Sequence, residues 1–385
     1  MALPIGSPSP RVGRFQQAME SVYGDFSEIR NPEEWSPPPG SGGHRGRYLW
    51  TDAFGVVNLL TMHREYNRAG YPRTQDNRYL TLARRLIETV HKVLGRTRDG
   101  RSPLPGATEQ NPLGGGLRIG KTEENGPDGD GQYHHYLTMW MFALNRMALA
   151  SGDMHYNRQA IQLARAIHPK FFIDRKAARP RMIWKMSVDL SRPLVSSEGN
   201  LDPIDGFVIF RLLQATATAA GESDTLEEEI ADYRRVMDRK GEHFVSDDPL
   251  DLGMTLWTAH WFSETENWAS SLVNRCFEQL YDLVEIKRYL ERSIRFRLAF
   301  REFGTCLGLQ CESEQTGNKE RSGDFKSWAD AIIVAWDPYM ELSATAALTP
   351  ADLRPITRVM YASALLPGAF RAGYFGPESK PKEVF

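Results

Sequence analysis

The residues best suited to chemistry lie in one short stretch, Asp128–Met147, which reads DGDGQYHHYLTMWMFALNRM. Carboxylates and imidazoles that lie close together are typical of acid–base catalysts and of metal sites. His134 and His135 are adjacent, however, so on a helix their side chains point about 100° apart. The two histidines together therefore do not predict a metal site.

Aspartates open several of the apolar helical segments, at Asp52, Asp130, Asp205 and Asp251. An aspartate at a helix start needs no catalytic role, because its oxygen accepts hydrogen bonds from free backbone N–H groups and its charge suits the helix dipole. If these helix starts meet at one opening, the same carboxylates could instead bind a cation. Both interpretations stay open, and we predict Asp52, Asp130 and Asp205 as ligands of Mg²⁺.

Basic residues lie close to these acids. The glycine-rich stretch Leu113–Lys121 (LGGGLRIGK) frees the backbone to approach an anion, and Arg118 and Lys121 could hold its oxygens, although such loops are more often simply flexible. Its sequence is not that of a Walker nucleotide-binding loop. The basic run 285–301 predicts a solvated outer helix face, from which Lys287 could turn inward toward an anion.

The segment Arg181–Pro193 (RMIWKMSVDLSRP) alternates apolar and charged side chains and is too short for a long helix. It predicts an inserted loop or ribbon, and loops held on a rigid scaffold often carry function. We predict Lys185 and Arg192 as anion ligands and Asp189 as a catalytic residue. A lid held by surface salt bridges is an equally good interpretation.

Aromatic side chains accompany the charged ones. Tyr133 and Trp140 lie on one helical stripe, and such a stripe is usually part of a core. The alternative is that these two residues, with Trp184 and Trp257, form the wall of a catalytic cavity. Aromatic faces stabilise cations, so this wall would suit a positively charged intermediate.

The elements that must position these residues are helices. Apolar residues recur at three- and four-residue spacing, and no alternating strand pairs stand out. Apolar helices alternate about six times with charged ones, the pattern of an all-α (α/α)6 toroid whose inner helices run the same way and begin at one mouth. We predict this domain over residues 48–375, an extended or partly disordered arm over 1–47 and a flexible tail over 376–385.

Composition limits the classes of function. The chain has 47 Lys and Arg against 49 Asp and Glu, and without a long basic run it has no electrostatic footprint for nucleic acid. Its three cysteines lack disulfide or metal-ligand spacing, and no stretch approaches the roughly 20 apolar residues of a membrane span. We expect a cytoplasmic protein without nucleic-acid partner or membrane span, and its oligomeric state stays open.

Four blocks between residues 48 and 210 resemble a family of fungal and bacterial proteins that lie near the six-hairpin glycosidases in fold: YLWTDAFGVVNLL, GGGLRIGK, DGDGQYHHYLTMWMFALNRMALASGD and RMIWKMSVDLSRPLV. In fold the chain also resembles the divergent fungal class I terpene cyclases that make humulene. Those enzymes lack the usual aspartate-rich motif and use a Mg²⁺ cluster with a basic residue on the diphosphate. This sequence likewise has no DDxxD run.

Two enzyme hypotheses follow. In the first, a sesquiterpene cyclase, a lyase of secondary metabolism, ionises farnesyl diphosphate with Mg²⁺, and the aromatic wall stabilises the carbocation. In the second, an intracellular glycoside hydrolase or sugar epimerase uses paired carboxylates in the same cleft. A non-catalytic toroid that binds a partner is the third interpretation. The basic residues favour the first hypothesis, because they suit an anionic small-molecule substrate and a neutral sugar would not need them.

Overall fold

A computed structural model of the chain describes residues 10–39, 47–68, 77–126, 128–223, 226–240, 246–341 and 349–378. These residues form twelve α-helices and four two-residue strands. The helices are α1 Pro10–Tyr23, α2 Leu49–Arg68, α3 Arg78–Leu94, α4 His134–Ser151, α5 His155–Phe171, α6 Asp202–Ala219, α7 Glu227–Lys240, α8 Pro249–Ala259, α9 Asn267–Tyr281, α10 Ala299–Gln315, α11 Lys319–Trp336 and α12 Arg354–Leu365.

Six of the helices form a closed inner ring. Each contacts the next in the order α2, α4, α6, α8, α10 and α12, and α12 contacts α2 again. The other six pack outside, with α3 on α2, α5 on α4, α7 on α6, α9 on α8, α11 on α10 and α1 on α12. This arrangement confirms the all-α (α/α)6 toroid. No helix among the described residues is long and apolar enough to cross a membrane.

Local sequence signals explain where inner helices begin, end and approach each other. The Asp248 carboxylate accepts a hydrogen bond from the Leu250 amide at the start of α8, and α4 ends where Gly152 takes a left-handed conformation with φ of 76°. A Cβ on Gly253 of α8 would lie 2.3 Å from the Cα of Thr305 in α10. The two inner helices therefore pack backbone against backbone, which only glycine permits at that point.

The N-terminal region differs from its prediction. Residues Pro10–Tyr23 form α1 rather than an extended arm, and Phe15, Met19 and Tyr23 are buried at i, i+4 and i+8. The neighbouring proline- and glycine-rich patches hid this apolar stripe in the sequence. Residues 1–9 and 40–46 of the predicted arm, and 379–385 of the predicted tail, lie outside the described residues.

Two short ribbons lie beside the inner helices, although the sequence showed no strand pairs. Strand β1 (Gln132–Tyr133) pairs antiparallel with β4 (Lys185–Met186), and β2 (Phe172–Ile173) pairs with β3 (Arg181–Met182). The first pairing ties the predicted loop at 181–193 to the start of α4. The loop is therefore held close to the histidine pair.

The interior of the ring is filled rather than hollow. Phe142 of α4 meets Trp257 of α8 across the ring with centroids 4.9 Å apart, and Phe54 of α2 lies 4.8 Å from Phe370. The Trp257 Nε1 donates to the Phe370 carbonyl at 3.0 Å, and all four side chains are buried. Trp257 is therefore a core residue at this level of the ring, contrary to its prediction as part of a cavity wall.

Candidate active site

The glycine-rich loop does bind an anion, but the anion belongs to the chain itself. Asp130 Oδ1 accepts from the amides of Gly120 (3.0 Å) and Lys121 (3.2 Å). Asp130 Oδ2 accepts from Arg98 (2.8 Å) and Arg118 (3.2 Å), and the carboxylate is buried. Arg118 is therefore occupied by an internal ion pair, which removes the reason for assigning it to a substrate diphosphate.

The structure does not bring the three predicted magnesium ligands together. Asp52 is buried and accepts from Arg47 Nε at 2.9 Å and from the Tyr23 hydroxyl at 3.0 Å. Asp205 is bonded to a threonine, and Asp130 to the two arginines above. Within the described residues no group of three or more His, Cys, Asp or Glu could hold a metal ion. The arrangement therefore does not support a shared metal site at these aspartates.

Two further predicted anion ligands contact side chains of the protein itself. Lys121 Nζ lies 4.3 Å from the ring centroid of Tyr48, a cation–π contact. Lys287 lies on the exposed surface after α9, where its Nζ is 2.7 Å from Asp282 Oδ2. Lys287 is therefore part of the outer face that the basic run predicted, and the sequence expectation that it turns inward is wrong.

The ribbon at 181–193 holds three of the predicted residues in different surroundings. Lys185 is buried, with Nζ 3.2 Å from the Gly126 carbonyl and 5.0 Å from the Tyr133 ring centroid, and burial lowers its pKa. Asp189 is exposed and accepts from the hydroxyls of Ser187 and Ser191, so it closes the tip of the ribbon. Those bonds lower the pKa of Asp189, and it stays a carboxylate. Arg192 is exposed.

The group best placed for catalysis is His135, in the first turn of α4. Its backbone amide and its Nδ1 both contact Oδ1 of Asp202, the first residue of α6, at 3.0 and 3.1 Å. A carboxylate only accepts hydrogen bonds, so Nδ1 carries a proton, and in the neutral imidazole Nε2 presents a lone pair. The neighbouring inner helices thus orient one imidazole as a base.

The electrostatics of this pair favour the charged forms of both groups. Burial lowers the pKa of His135, but the carboxylate of Asp202, with smaller contributions from Asp205 and Asp251, outweighs burial and raises it above its ordinary value. Burial raises the pKa of Asp202, but His135 and His134 together bring it well below its ordinary value. Asp202 is therefore ionised at neutral pH beside these two histidines.

Aromatic rings surround the imidazole. The ring centroids of Trp50, Tyr133, Tyr136 and Trp184 lie 5.9, 6.1, 5.0 and 6.0 Å from that of His135. The His135 side chain is still 21% exposed. Tyr133 and Trp184 therefore do lie in an aromatic wall, and that wall surrounds His135. The Trp140 ring instead points toward the outer helix α3, where its Nε1 donates to His91 at 3.1 Å.

A second carboxyl group lies one turn along α6 from Asp202. Asp205 is buried, which raises its pKa to about 8, and its Oδ1 is 2.9 Å from the hydroxyl of Thr258. The Thr258 hydroxyl donates to the Met254 carbonyl at 2.8 Å. At neutral pH a protonated Asp205 can donate to Thr258 Oγ1 and complete this chain of hydrogen bonds.

His134 also contacts the Asp202 carboxylate of the His135–Asp202 pair. Its Nε2 lies 2.5 Å from the hydroxyl of the buried Tyr233, and its Nδ1 lies 3.5 Å from Asp202 Oδ1. The adjacent histidines therefore share one carboxylate rather than one metal ion. Sequence reasoning missed His135 and Asp202 as a pair because it tested the histidines only against a metal. The available signal was a histidine and an aspartate that open consecutive inner helices.

No protein-family model matches the sequence, and no curated protein matches it. Among solved structures the chain is similar to a cellobiose 2-epimerase from Bacillus thermoamylovorans B4167, with 12% identity and a TM-score of 0.38 over 62% of this chain and 60% of that one. It is also similar to a sugar epimerase from a ruminal bacterium, with 11% identity and a TM-score of 0.49 over 91% of this chain and 98% of that one.

Proposed function

We propose that the chain is an enzyme that moves a proton on a carbon atom of a sugar, as a sugar epimerase does. The observation that carries the proposal is the His135 imidazole, which Asp202 orients through Nδ1 while the ring stays partly exposed among four aromatic rings. A base fixed in one tautomer by a carboxylate is suited to proton abstraction. Flat aromatic faces around it suit the apolar faces of a sugar ring.

The chemistry needs no cofactor. In an open-chain sugar the hydrogen on the carbon next to the carbonyl is acidic, and Nε2 of His135 would accept it as a proton. The electron pair of the C–H bond moves to form a carbon–carbon double bond, and the carbonyl oxygen takes the negative charge. Return of a proton from solvent water to the opposite face of that carbon, while Nε2 of His135 releases its proton to solvent, yields the epimer without any net oxidation.

Trp50 is suited to bind an oxygen of this substrate. It is buried beside His135, and its Nε1 forms no hydrogen bond with any residue that the structure describes. A buried N–H group without a partner costs about 1–3 kcal/mol, so a ligand oxygen that accepts from it would gain affinity. The carbonyl oxygen that becomes negative during proton transfer is such an acceptor.

The geometry favours this chemistry over the two alternatives from the sequence. Glycoside hydrolysis needs two carboxyl groups that flank a glycosidic bond, but Asp202 is paired with His135 and Asp205 is buried against Thr258. A prenyl diphosphate needs free cationic ligands and an apolar hollow. The ring interior offers no such hollow, because aromatic side chains fill it, and Arg118, the cation predicted for the diphosphate, is held by Asp130.

Hydrogen exchange tests the proposal directly. The protein is incubated in D₂O with a panel of neutral and anionic reducing sugars, such as glucose, mannose, N-acetylglucosamine, cellobiose, glucuronate and glucose 6-phosphate, and deuterium at the carbon beside the carbonyl is followed by proton NMR. We expect incorporation into at least one sugar, and a loss on the order of 100-fold or more in His135→Gln, the usual contribution of a general base.

The matched control is His155→Gln, because His155 is exposed on the outer helix α5 and lies away from the ring mouth. Circular dichroism and thermal melting of both variants establish that they remain folded. If the wild-type protein exchanges no sugar of the panel, or if His135→Gln exchanges as fast as His155→Gln, the proposal is wrong.

A further inference from the structure

A cleft of ≈ 1130 Å³ opens beside the aromatic residues around His135. Its walls come from segments within 97–105 and 184–195, with residues 124–126 and Asp130 completing the lining. Trp184 joins the cleft to the candidate active site, since it lines the cleft and its ring lies 6.0 Å from that of His135. The cleft therefore borders the candidate active site.

The cleft contains four basic and four acidic side chains; three of the acids accept hydrogen bonds from their neighbours, and the fourth, Glu124, is exposed. Asp130 is neutralised by two arginines and two backbone amides. Asp189 accepts from the hydroxyls of two serines. Asp99 accepts from the Thr97 hydroxyl at 2.5 Å and from the Arg101 amide at 3.1 Å. Of these three acids only Asp130 is neutralised by hydrogen bonds from cationic partners, whereas the bonds of Asp99 and Asp189 come from neutral groups and fix where these two carboxylates point.

Two arginines on opposite walls remain available to a ligand. The Arg101 side chain is 86% exposed, and its Nε lies 3.6 Å from Asp99 Oδ2, too far for a hydrogen bond. Arg192 is exposed, and its guanidinium forms no ion pair with any residue that the structure describes. Guanidinium groups bind carboxylate and phosphate oxygens through paired N–H donors. Their surroundings are polar, with Ser102 and Ser187 nearby in the same cleft.

We propose that this cleft binds the acidic group of an anionic saccharide, a carboxylate or a phosphate, between Arg101 and Arg192. The proposal rests on the proposed function of the neighbouring site, since it assigns the class of sugar whose carbon is presented to His135. The uncharged sugars of the exchange panel would then be poorer substrates than sugars that carry a carboxylate or a phosphate. A sugar acid or a sugar phosphate would be the preferred class.

Equilibrium binding tests the cleft without any turnover. Isothermal titration calorimetry compares glucuronate, glucose 6-phosphate and glucose at one ionic strength, with wild-type protein, Arg101→Gln, Arg192→Gln and the double variant. Charge-assisted hydrogen bonds predict that each arginine contributes about tenfold to anion affinity. We expect the double variant to lose affinity for the anions while its binding of glucose stays unchanged.

Arg179→Gln is the control, because Arg179 is exposed but does not line the cleft. Tighter binding of glucuronate identifies a carboxylate, and tighter binding of glucose 6-phosphate identifies a phosphate. Equal binding of all three compounds, binding of none at millimolar concentration, or an anion preference that survives in the double variant would overturn the cleft assignment. Because His135→Gln retains both arginines, it should keep the anion preference even if no sugar exchange is ever observed.

Discussion

Asp205 offers the sharpest test of the electrostatics at the ring mouth. Its pKa is raised to about 8 by burial, whereas the ordinary value is 3.8. Between these two values the folded protein holds a proton that the unfolded chain has released. The stability from this group is therefore complete below about pH 4 and is lost as the pH rises through the folded pKa. The variant Asp205→Asn keeps the shape but cannot titrate.

The size of the effect follows from proton linkage. One proton bound only in the folded state changes the free energy of unfolding by about 1.4 kcal/mol per pH unit. The window from pH 5 to 7 lies well inside the interval between the two pKa values. Over that window the wild-type protein should therefore lose about 3 kcal/mol relative to Asp205→Asn.

Urea unfolding at several pH values from 5 to 7 measures this difference for both proteins. Other titrating groups are common to the two chains, so their contributions cancel when the free energies are subtracted. Asp189→Asn is the control, because the hydrogen bonds of Asp189 lower its pKa and it does not titrate in this window. Parallel stability curves for wild type and Asp205→Asn would refute the reasoning, since Asp205 would then be ionised in the folded protein.

Two further predictions concern the catalytic pair and the ring. Asp202→Asn removes the carboxylate that outweighs burial, so the pKa of His135 should fall and the pH–rate profile of sugar exchange should shift to lower pH, with a maximal rate lower on the order of 100-fold. An unshifted profile would exclude His135 as the titrating base. Gly253→Ala places a methyl group 2.3 Å from the Thr305 Cα and should cost about 1–3 kcal/mol or more in urea unfolding. Gly13→Ala, which meets nothing within 4 Å, should cost nothing, and equal effects would contradict the close packing.

The ring could be predicted from the sequence because it depends on a local property. Each inner helix is apolar around its whole circumference, as in α6, where most residues are buried, whereas each outer helix shows one apolar stripe. That difference repeats along the chain and fixes which helices lie inside. Helix α1 escaped the pattern because its buried stripe is short, consisting of Phe15, Ala18, Met19 and Tyr23, and lies next to proline-rich sequence.

The partners of the aspartates could not be predicted in the same way. Asp52, Asp130 and Asp202 all lie at or near helix starts. An aspartate at such a position can cap the helix, bind a cation or form an ion pair, and the local sequence is the same in all three cases. Tertiary structure decides among these. Asp130 meets an arginine 32 positions away, and Asp202 meets a histidine 67 positions away. No spacing rule connects residues that far apart in the sequence.

The distribution of these partners explains why one imidazole carries the proposed chemistry. Arginines neutralise Asp52 and Asp130, so these carboxylates stabilise the loops that lead into α2 and α4 and have little capacity left for substrate. Of the three aspartates Asp52, Asp130 and Asp202, only Asp202 is paired with an imidazole, a group that can gain and lose a proton. Two of the acids that suggested a metal site, Asp52 and Asp130, therefore fix the scaffold. Asp202, which was not among them, sets the tautomer and the pKa of His135.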